Sequence, residues 1–250
     1  MPTRLKIRFK CNEGKSYSYS MASLAHGYIM EIIEPQYASL LHNLRLNPYS
    51  QYITRDKDDI VWVINTLDTR AKKEIIDKLI YNINNEAKKS IFLKKRNETL
   101  YIKEFSIIES DYKELNKILY ENKSKKILKL KFITPTSFRQ DNRYCIFPSV
   151  RLIFQSLMHK YDAVSVQSRV YDAQVLKSYE EQAYIEEYKL RSTVFSLEGI
   201  LIPAFIGEIS IKINAPTQLV NLAYMLAEFG CYAGVGIKTA VGMGAIAVIK

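Results

Sequence analysis

Thiols are scarce and dispersed in this chain: Cys11, Cys145 and Cys231 are its three cysteines, and no two form a CxxC pair. That excludes a disulfide framework and a cysteine-based zinc site, and it points to a cytoplasmic chain. Long apolar runs are missing too. No stretch reaches the roughly 18 residues of a membrane span, and the N-terminus passes into an alternating segment without the apolar core of a secretory signal. Clustered acids that could hold divalent cations are also lacking. Glu180-Glu181 and Glu186-Glu187 read as solvated helix surface, so neither metal nor cofactor is expected. Histidine is limited to His26, His42 and His159, which leaves few candidates for proton transfer near neutral pH. Glycine is limited to nine residues, yet five of them fall between Gly230 and Gly244.

The chain is rich in apolar residues, 48% of the total, enough for a sizeable core over one or two domains. It carries 36 Lys and Arg against 26 Asp and Glu, a net charge of +10, which favours a polyanionic partner. Eighteen Tyr and ten Phe add flat surfaces on which unpaired bases could stack.

Residues 4–10 alternate strictly, Leu5, Ile7 and Phe9 on one face and Arg4, Lys6, Arg8 and Lys10 on the other, as in a strand with one buried face. Leu128-Lys-Leu-Lys-Phe132 repeats the pattern at about half the chain length, which reads as a duplication. After the first copy come helical periodicity from Tyr19 to Ile33 and from Gln36 to Leu44, an extended run from Tyr49 to Thr54, and an apolar strand from Ile60 to Ile64. A Lys-rich helix from Thr69 to Ile83 and a strand from Leu100 to Ile107 follow. After the second come a helix from Pro148 to His159, strands from Lys189 to Phe195 and Phe205 to Ile213, a helix from Thr217 to Phe229, and a strand from Ala245 to Ile249. Each half thus reads β-α-β-β-α-β. The expected fold is α+β, two tandem ferredoxin-like domains over 1–122 and 123–250, with a charged helix from Asp111 to Asn122 and a solvated connector at 123–126 between them. Basic strand faces would line the surface between the domains.

The glycine cluster runs from a helix to a strand, the reverse of a P-loop or dinucleotide loop, and GxGxxG fails at Thr239. A structural tight turn and a phosphate-binding loop both remain open. The run Gly234-Val-Gly-Ile-Lys-Thr-Ala-Val-Gly-Met-Gly244 resembles the C-terminal glycine-rich signature of the CRISPR-associated endoribonucleases that cut repeat transcripts into guide RNAs, a family of the repeat-associated RNA-binding superfamily. Phe132-Ile-Thr-Pro-Thr-Ser-Phe138 followed by Phe147-Pro148, and Ile202-Pro-Ala-Phe-Ile-Gly207, resemble the same family. In the first half Gly27-Tyr28-Ile29, Leu41-His42 and Pro48-Tyr49-Ser50 stand in the family's order. The resemblance covers most of the chain, specifically so in its last fifty residues.

The resemblance implies metal-independent cleavage of CRISPR repeat RNA by attack of a 2′-hydroxyl, leaving a 2′,3′-cyclic phosphate and a 5′-hydroxyl. A non-cleaving guide-RNA-binding subunit of the same superfamily is the alternative, and a basic module that senses a small molecule or assembles with partners is a more distant one. RNA supplies its own nucleophile, so the protein must position it, move two protons and offset charge on the phosphate. Helical geometry groups Tyr37, Leu40, Leu41 and Leu44 and puts His42 on the other side, facing solvent or a groove. With its place in the Leu-His motif, His42 is the principal catalytic candidate. Tyr28 falls on the stripe of Met21, Leu24, Ala25, Ile29 and Ile32, so pattern makes it core with a polar tip, while the resemblance makes it an assistant near the scissile phosphate. His26, at the margin of that stripe, reads as structural and is the second catalytic candidate. His159 reads as a helix cap. Where many relatives place a lysine after the histidine, this chain has Asn47-Pro48; Arg45 or Arg55 could supply that charge. The candidate RNA contacts are Gly234, Gly236, Lys238, Thr239, Gly242 and Gly244 in the loop, with Arg139, Arg143 and Arg151 after the second-domain entry. Effector-complex subunits and a second copy of the chain are further partners the family implies.

Overall fold

The computed structural model describes residues 2–10, 18–57, 59–85, 89–120, 125–165 and 169–249. Cys11, residue 122 at the expected domain boundary, and the start of the connector at 123–124 lie outside them. The elements, mixed α and β, run β1 (Thr3–Phe9), α1 (Met21–Ile32), α2 (Pro35–Asn43), β2 (Tyr49–Asp56), β3 (Asp59–Thr66), and α3, a helix over 69–85 whose segment Lys72–Asp77 is π-helical. Then come β4 (Ser90–Leu93), β5 (Glu98–Glu109), α4 (Tyr112–Lys117), β6 (Ile127–Thr136), β7 (Phe138–Gln140), β8 (Arg143–Cys145), α5 (Val150–Val164), α6 (Ala173–Gln182), β9 (Ala183–Leu197), β10 (Ile200–Ile213), α7 (Thr217–Ala233) and β11 (Ile246–Ile249).

The chain divides into two compact units, Met1–Ser110 with Ala240–Gly242, and Asp111–Thr239 with Met243–Lys250. In the first, the sheet order is β2-β3-β1-β5-β4; in the second it is β11-β6-β10-β9, beside a two-stranded β7-β8 hairpin. All pairings are antiparallel. In both sheets the opening strand, β1 or β6, is interior, and its alternation puts one face on the core. Leu5, Ile7 and Phe9, and Leu128, Leu130 and Phe132, are buried, while Lys6, Lys129 and Lys131 are exposed on the other face. The first core forms where that apolar face meets Met21, Ala25 and Ile29 of α1, Tyr37 and Leu41 of α2, and Ile75, Leu79 and Ile83 of α3.

The division falls at 110/111, ahead of the expected boundary. The reason is α4, whose sequence looks charged and detachable but whose contacts belong to the second unit. Tyr161 donates to Asn116 at 3.0 Å, Asn221 donates to the Leu119 carbonyl at 3.1 Å, and the Tyr112 ring lies against Tyr161 and Phe229. Three elements exceed expectation: the short strand β4 between lysine-rich segments, the β7-β8 hairpin, and α6. Glu180 and Glu181 are on α6, but Glu186 and Glu187 lie on strand β9, where Glu186 pairs with Lys212 across the sheet at 2.9 Å. Two hairpin turns have the chemistry their geometry demands. Asp141-Asn142 and Glu198-Gly199 both hold two successive residues at positive φ, as a two-residue type I′ turn requires. Pro203 is tolerated in β10 because pairing with β6 begins only at Phe205, leaving no partner there for the missing N–H.

Candidate functional site

Helix α2 is short and opened by Pro35 at its first turn, and it is seated by two buried residues, Tyr37 and Leu41; the Arg70 guanidinium stacks over the Tyr37 ring at 4.8 Å. His42 occupies the last turn and is exposed, as is Arg45 just past the helix end. Leu40 and Leu44, grouped with the buried face by periodicity, are instead 38% and 39% exposed. The exposed side of α2 therefore joins an imidazole and a guanidinium to two apolar side chains. Arg55, the other cation considered beside His42, is exposed and donates from Nε to the Lys57 carbonyl at 2.8 Å.

On α1, Met21, Ala22, Ala25 and Ile29 are buried, and Tyr28 is half-buried against the core they form. His26 is fastened to β2: its Nδ1 shares a 2.8 Å hydrogen bond with the Tyr49 hydroxyl, and the two rings stack at 6.3 Å with 12° between their planes. Tyr49 is buried, and burial pushes its phenol well above the usual range, so it stays neutral. Gln51, also buried, accepts from Trp62 Nε1 at 2.8 Å and donates to the carbonyls of Ala22 at 2.8 Å and Ala240 at 3.1 Å. It ties α1, β3 and the 240–242 segment into the first unit. Neither tether is visible in sequence, since a Tyr and a Gln in a strand carry no pattern that marks their partners.

On either side of residues 240–242, the N–H groups of the glycine-rich loop are bound within the second unit. The N–H groups of Gly234, Val235, Gly236, Ile237, Met243, Gly244 and Ala245 donate to Gly230, Gly244, Ser156 Oγ, Ser137, Lys238, Pro135 and Thr134 Oγ1 respectively. Gly234, Gly242, Gly244 and Thr239 are buried; Gly236 is half-buried and Lys238 exposed. Of the loop glycines, Gly234, Gly236 and Gly244 thus turn their N–H groups onto oxygens of the chain itself. A Cβ at Gly236 or Gly244, both at positive φ, would run into the carbonyl oxygens of Ser137 and Val235, so glycine is required there by close backbone packing. Lys238 is the loop's exposed cation, and it too sits at positive φ (55°), unusual for a residue with a side chain.

Lys160, unremarked in the sequence, lies under this loop. It is 6% exposed, and its Nζ donates to the carbonyls of Ala233 and Gly234, each at 3.3 Å, and to Thr239 Oγ1 at 3.0 Å. Burial pushes its amine down to about 7. The signal that could have found it is spacing, since Ser156 and Lys160 are one turn apart on α5 and both face the loop.

Arg139 and Arg143 are exposed on the β7-β8 hairpin, with Arg139 3.5 Å from the Asn142 side-chain oxygen. Arg151 is engaged at 2.7 Å with Glu180. His159 is not a cap: α5 runs on to Val164, and the imidazole packs against the Tyr171 ring at 4.3 Å. The basic strand faces are partly neutralised. Arg8 bonds Asp56 at 2.8 Å, Asp59 at 3.3 Å and Glu104 at 3.0 Å, and Lys131 bonds Glu208 at 3.1 Å. Among the described residues no helix is long and apolar enough to cross a membrane.

Residues 130–246 match the family model of the CRISPR-associated endoribonuclease Cas6. The chain is 30% identical to the Streptococcus thermophilus CRISPR-associated endoribonuclease Cas6 over 225 residues, 88% of each chain. To the Mycobacterium tuberculosis enzyme of the same name it is 29% identical over 89% of this chain and 70% of that one. A solved Cas6 product complex shares the fold across the full length of both chains, with a TM-score of 0.78 at 20% identity.

Proposed function

This chain belongs to the Cas6 family of CRISPR-associated endoribonucleases, and from that membership we propose that it binds a CRISPR repeat transcript and cuts it once per repeat by attack of a 2′-hydroxyl on the adjacent phosphorus. The observation that carries the site is the exposed imidazole of His42 at the end of α2, with the Arg45 guanidinium exposed three residues on. On this reading His42 transfers the proton that leaves the 2′-oxygen or the one that reaches the departing 5′-oxygen. Tyr28, half-buried with a polar tip, positions a phosphate oxygen. Arg45 offsets the charge that builds on the non-bridging oxygens. The bond formed is O2′–P and the bond broken is P–O5′, which yields a 2′,3′-cyclic phosphate and a 5′-hydroxyl with no metal or water in the balance. Lys238 on the loop, with Arg139 and Arg143 on the hairpin, holds the RNA backbone. Two tandem ferredoxin-like domains are the architecture we assign. An interior opening strand flanked by the third and last strands in both sheets supports that assignment. A cytoplasmic location accords with it.

The test is incubation of purified protein, in excess EDTA, with a labelled repeat RNA and with the same RNA carrying a 2′-deoxy at each candidate cut site. One EDTA-resistant cut abolished by a single deoxy substitution is expected. His42→Ala is expected to lower kcat by about 10²- to 10⁴-fold while binding persists. Tight binding without any cut would favour a non-cleaving subunit, a reading kept open by Asn47-Pro48 where many relatives place a lysine.

A further inference from the structure

We infer that Lys160 is the residue that holds the glycine-rich loop in its RNA-binding form, a positioning residue acting through Thr239 on Lys238; the inference rests on the reading that this loop grips RNA. Lys160 is nearly fully buried, and its three partners are all neutral oxygens. An amine in such a place costs more than the methionine or leucine that would fill the same space. What it ties together accounts for its presence. Ala233 and Gly234 are the last residue of α7 and its C-cap, whose carbonyls have no helical partner. Thr239 lies five positions further on, and the Lys160 amine closes the span between them. Lys238 stands inside that closed span, exposed and at positive φ, its own carbonyl accepting from Met243 N at 3.3 Å. A non-glycine residue keeps such a conformation only when its surroundings impose it. Here they are the Thr239 hydroxyl fixed to Lys160 on one side and, one turn back on α5, Ser156 Oγ fixed to Gly236 N at 2.9 Å on the other. The face of α5 bearing Ser156 and Lys160 is thus a bed that shapes the loop from below while Lys238 points to solvent.

The proposal predicts a loss in RNA affinity rather than in chemistry. Lys160→Met, close to lysine in length but without donors, is expected to weaken binding of labelled repeat RNA by about tenfold, with KM rising and kcat at saturating RNA falling far less. Thr239→Val removes one acceptor at constant shape and should weaken binding about threefold; Thr239→Ser keeps the hydroxyl and should bind like the parent. If Lys160→Met does not fold, the Val and Ser pair at Thr239 decides the matter alone. The Lys160→Met, Thr239→Val double variant should be no weaker than Lys160→Met, since both remove the same contact. Lys238→Ala separates this inference from the RNA reading. Weakened binding in Lys238→Ala, with parental binding in folded Lys160→Met and in Thr239→Val, overturns the role of Lys160 and leaves the loop as the grip. Parental binding in all three overturns both. Loss of kcat at unchanged KM in Lys160→Met would also overturn it.

Discussion

The amine of Lys160 titrates near 7 in the folded chain because burial penalises its charged form, against 10.5 for an ordinary lysine side chain. Between those two values the unfolded chain holds a proton that the folded chain has released, so stability rises with pH across that window and is lowest below about 7. Relative to Lys160→Met, the parent should gain up to about 1.4 kcal/mol per pH unit between pH 7 and 10. Urea midpoints for both proteins at pH 7, 8 and 9 measure it. A parent that gains nothing would show that the three oxygen acceptors keep the ammonium charged. The histidines differ in position. His26 bonds Tyr49 from α1 to β2, whereas His42 is exposed at its helix end, where the proposed proton transfer would require it to meet RNA.

Among the elements, the loop between α7 and β11 does most to reconcile the chain's scarce glycine with its concentration. Its glycines are consumed by backbone packing, and the exposed surface they create is small and centred on Lys238. Gly244→Ala forces a Cβ onto the Val235 carbonyl at a positive φ, so a destabilisation of about 1–3 kcal/mol is expected from the strained backbone, with a further loss from the clash. A thermal melt of Gly244→Ala beside the parent checks it, and a midpoint within a degree of the parent would contradict the packing account. Helix α5 reaches the loop at Ser156 and Lys160, and it continues to Val164, past the end at His159 that the sequence predicts. Its Ser149 cap, accepting from Leu152 N at 3.2 Å, starts it one residue after Pro148.

For the whole molecule, the net charge of +10 already counts the acids paired with Arg8, Lys131 and Lys212, and it is the long-range term on which the proposed RNA binding draws. Binding to repeat RNA should weaken steeply with salt, log Kd rising with log salt by about 0.7 per phosphate neutralised. Arg139→Ala with Arg143→Ala should lower that slope by about 1.4, while Arg8→Ala leaves it nearly unchanged. Titrations between 50 mM and 200 mM salt, a range of about 0.6 log units, read the difference. Much of this protein was determined by its sequence alone. Alternation in residues 4–10 and 128–132 set two strands with one buried face, helical periodicity set α1, α2, α3 and α7, and the glycine-rich run carried the family. Local patterns of side chains are enough for that, because burial of one face is a local property of strand or helix. Tertiary structure decided the rest: the placement of α4 with the second unit, Glu186 and Glu187 on a strand, His26 on Tyr49, and Lys160 beneath the loop. Each depends on a partner far away in the chain, as His26 with Tyr49, Asn116 with Tyr161 and Leu119 with Asn221 illustrate. No periodicity within an element encodes such a contact; only the packing of whole elements brings the two groups together.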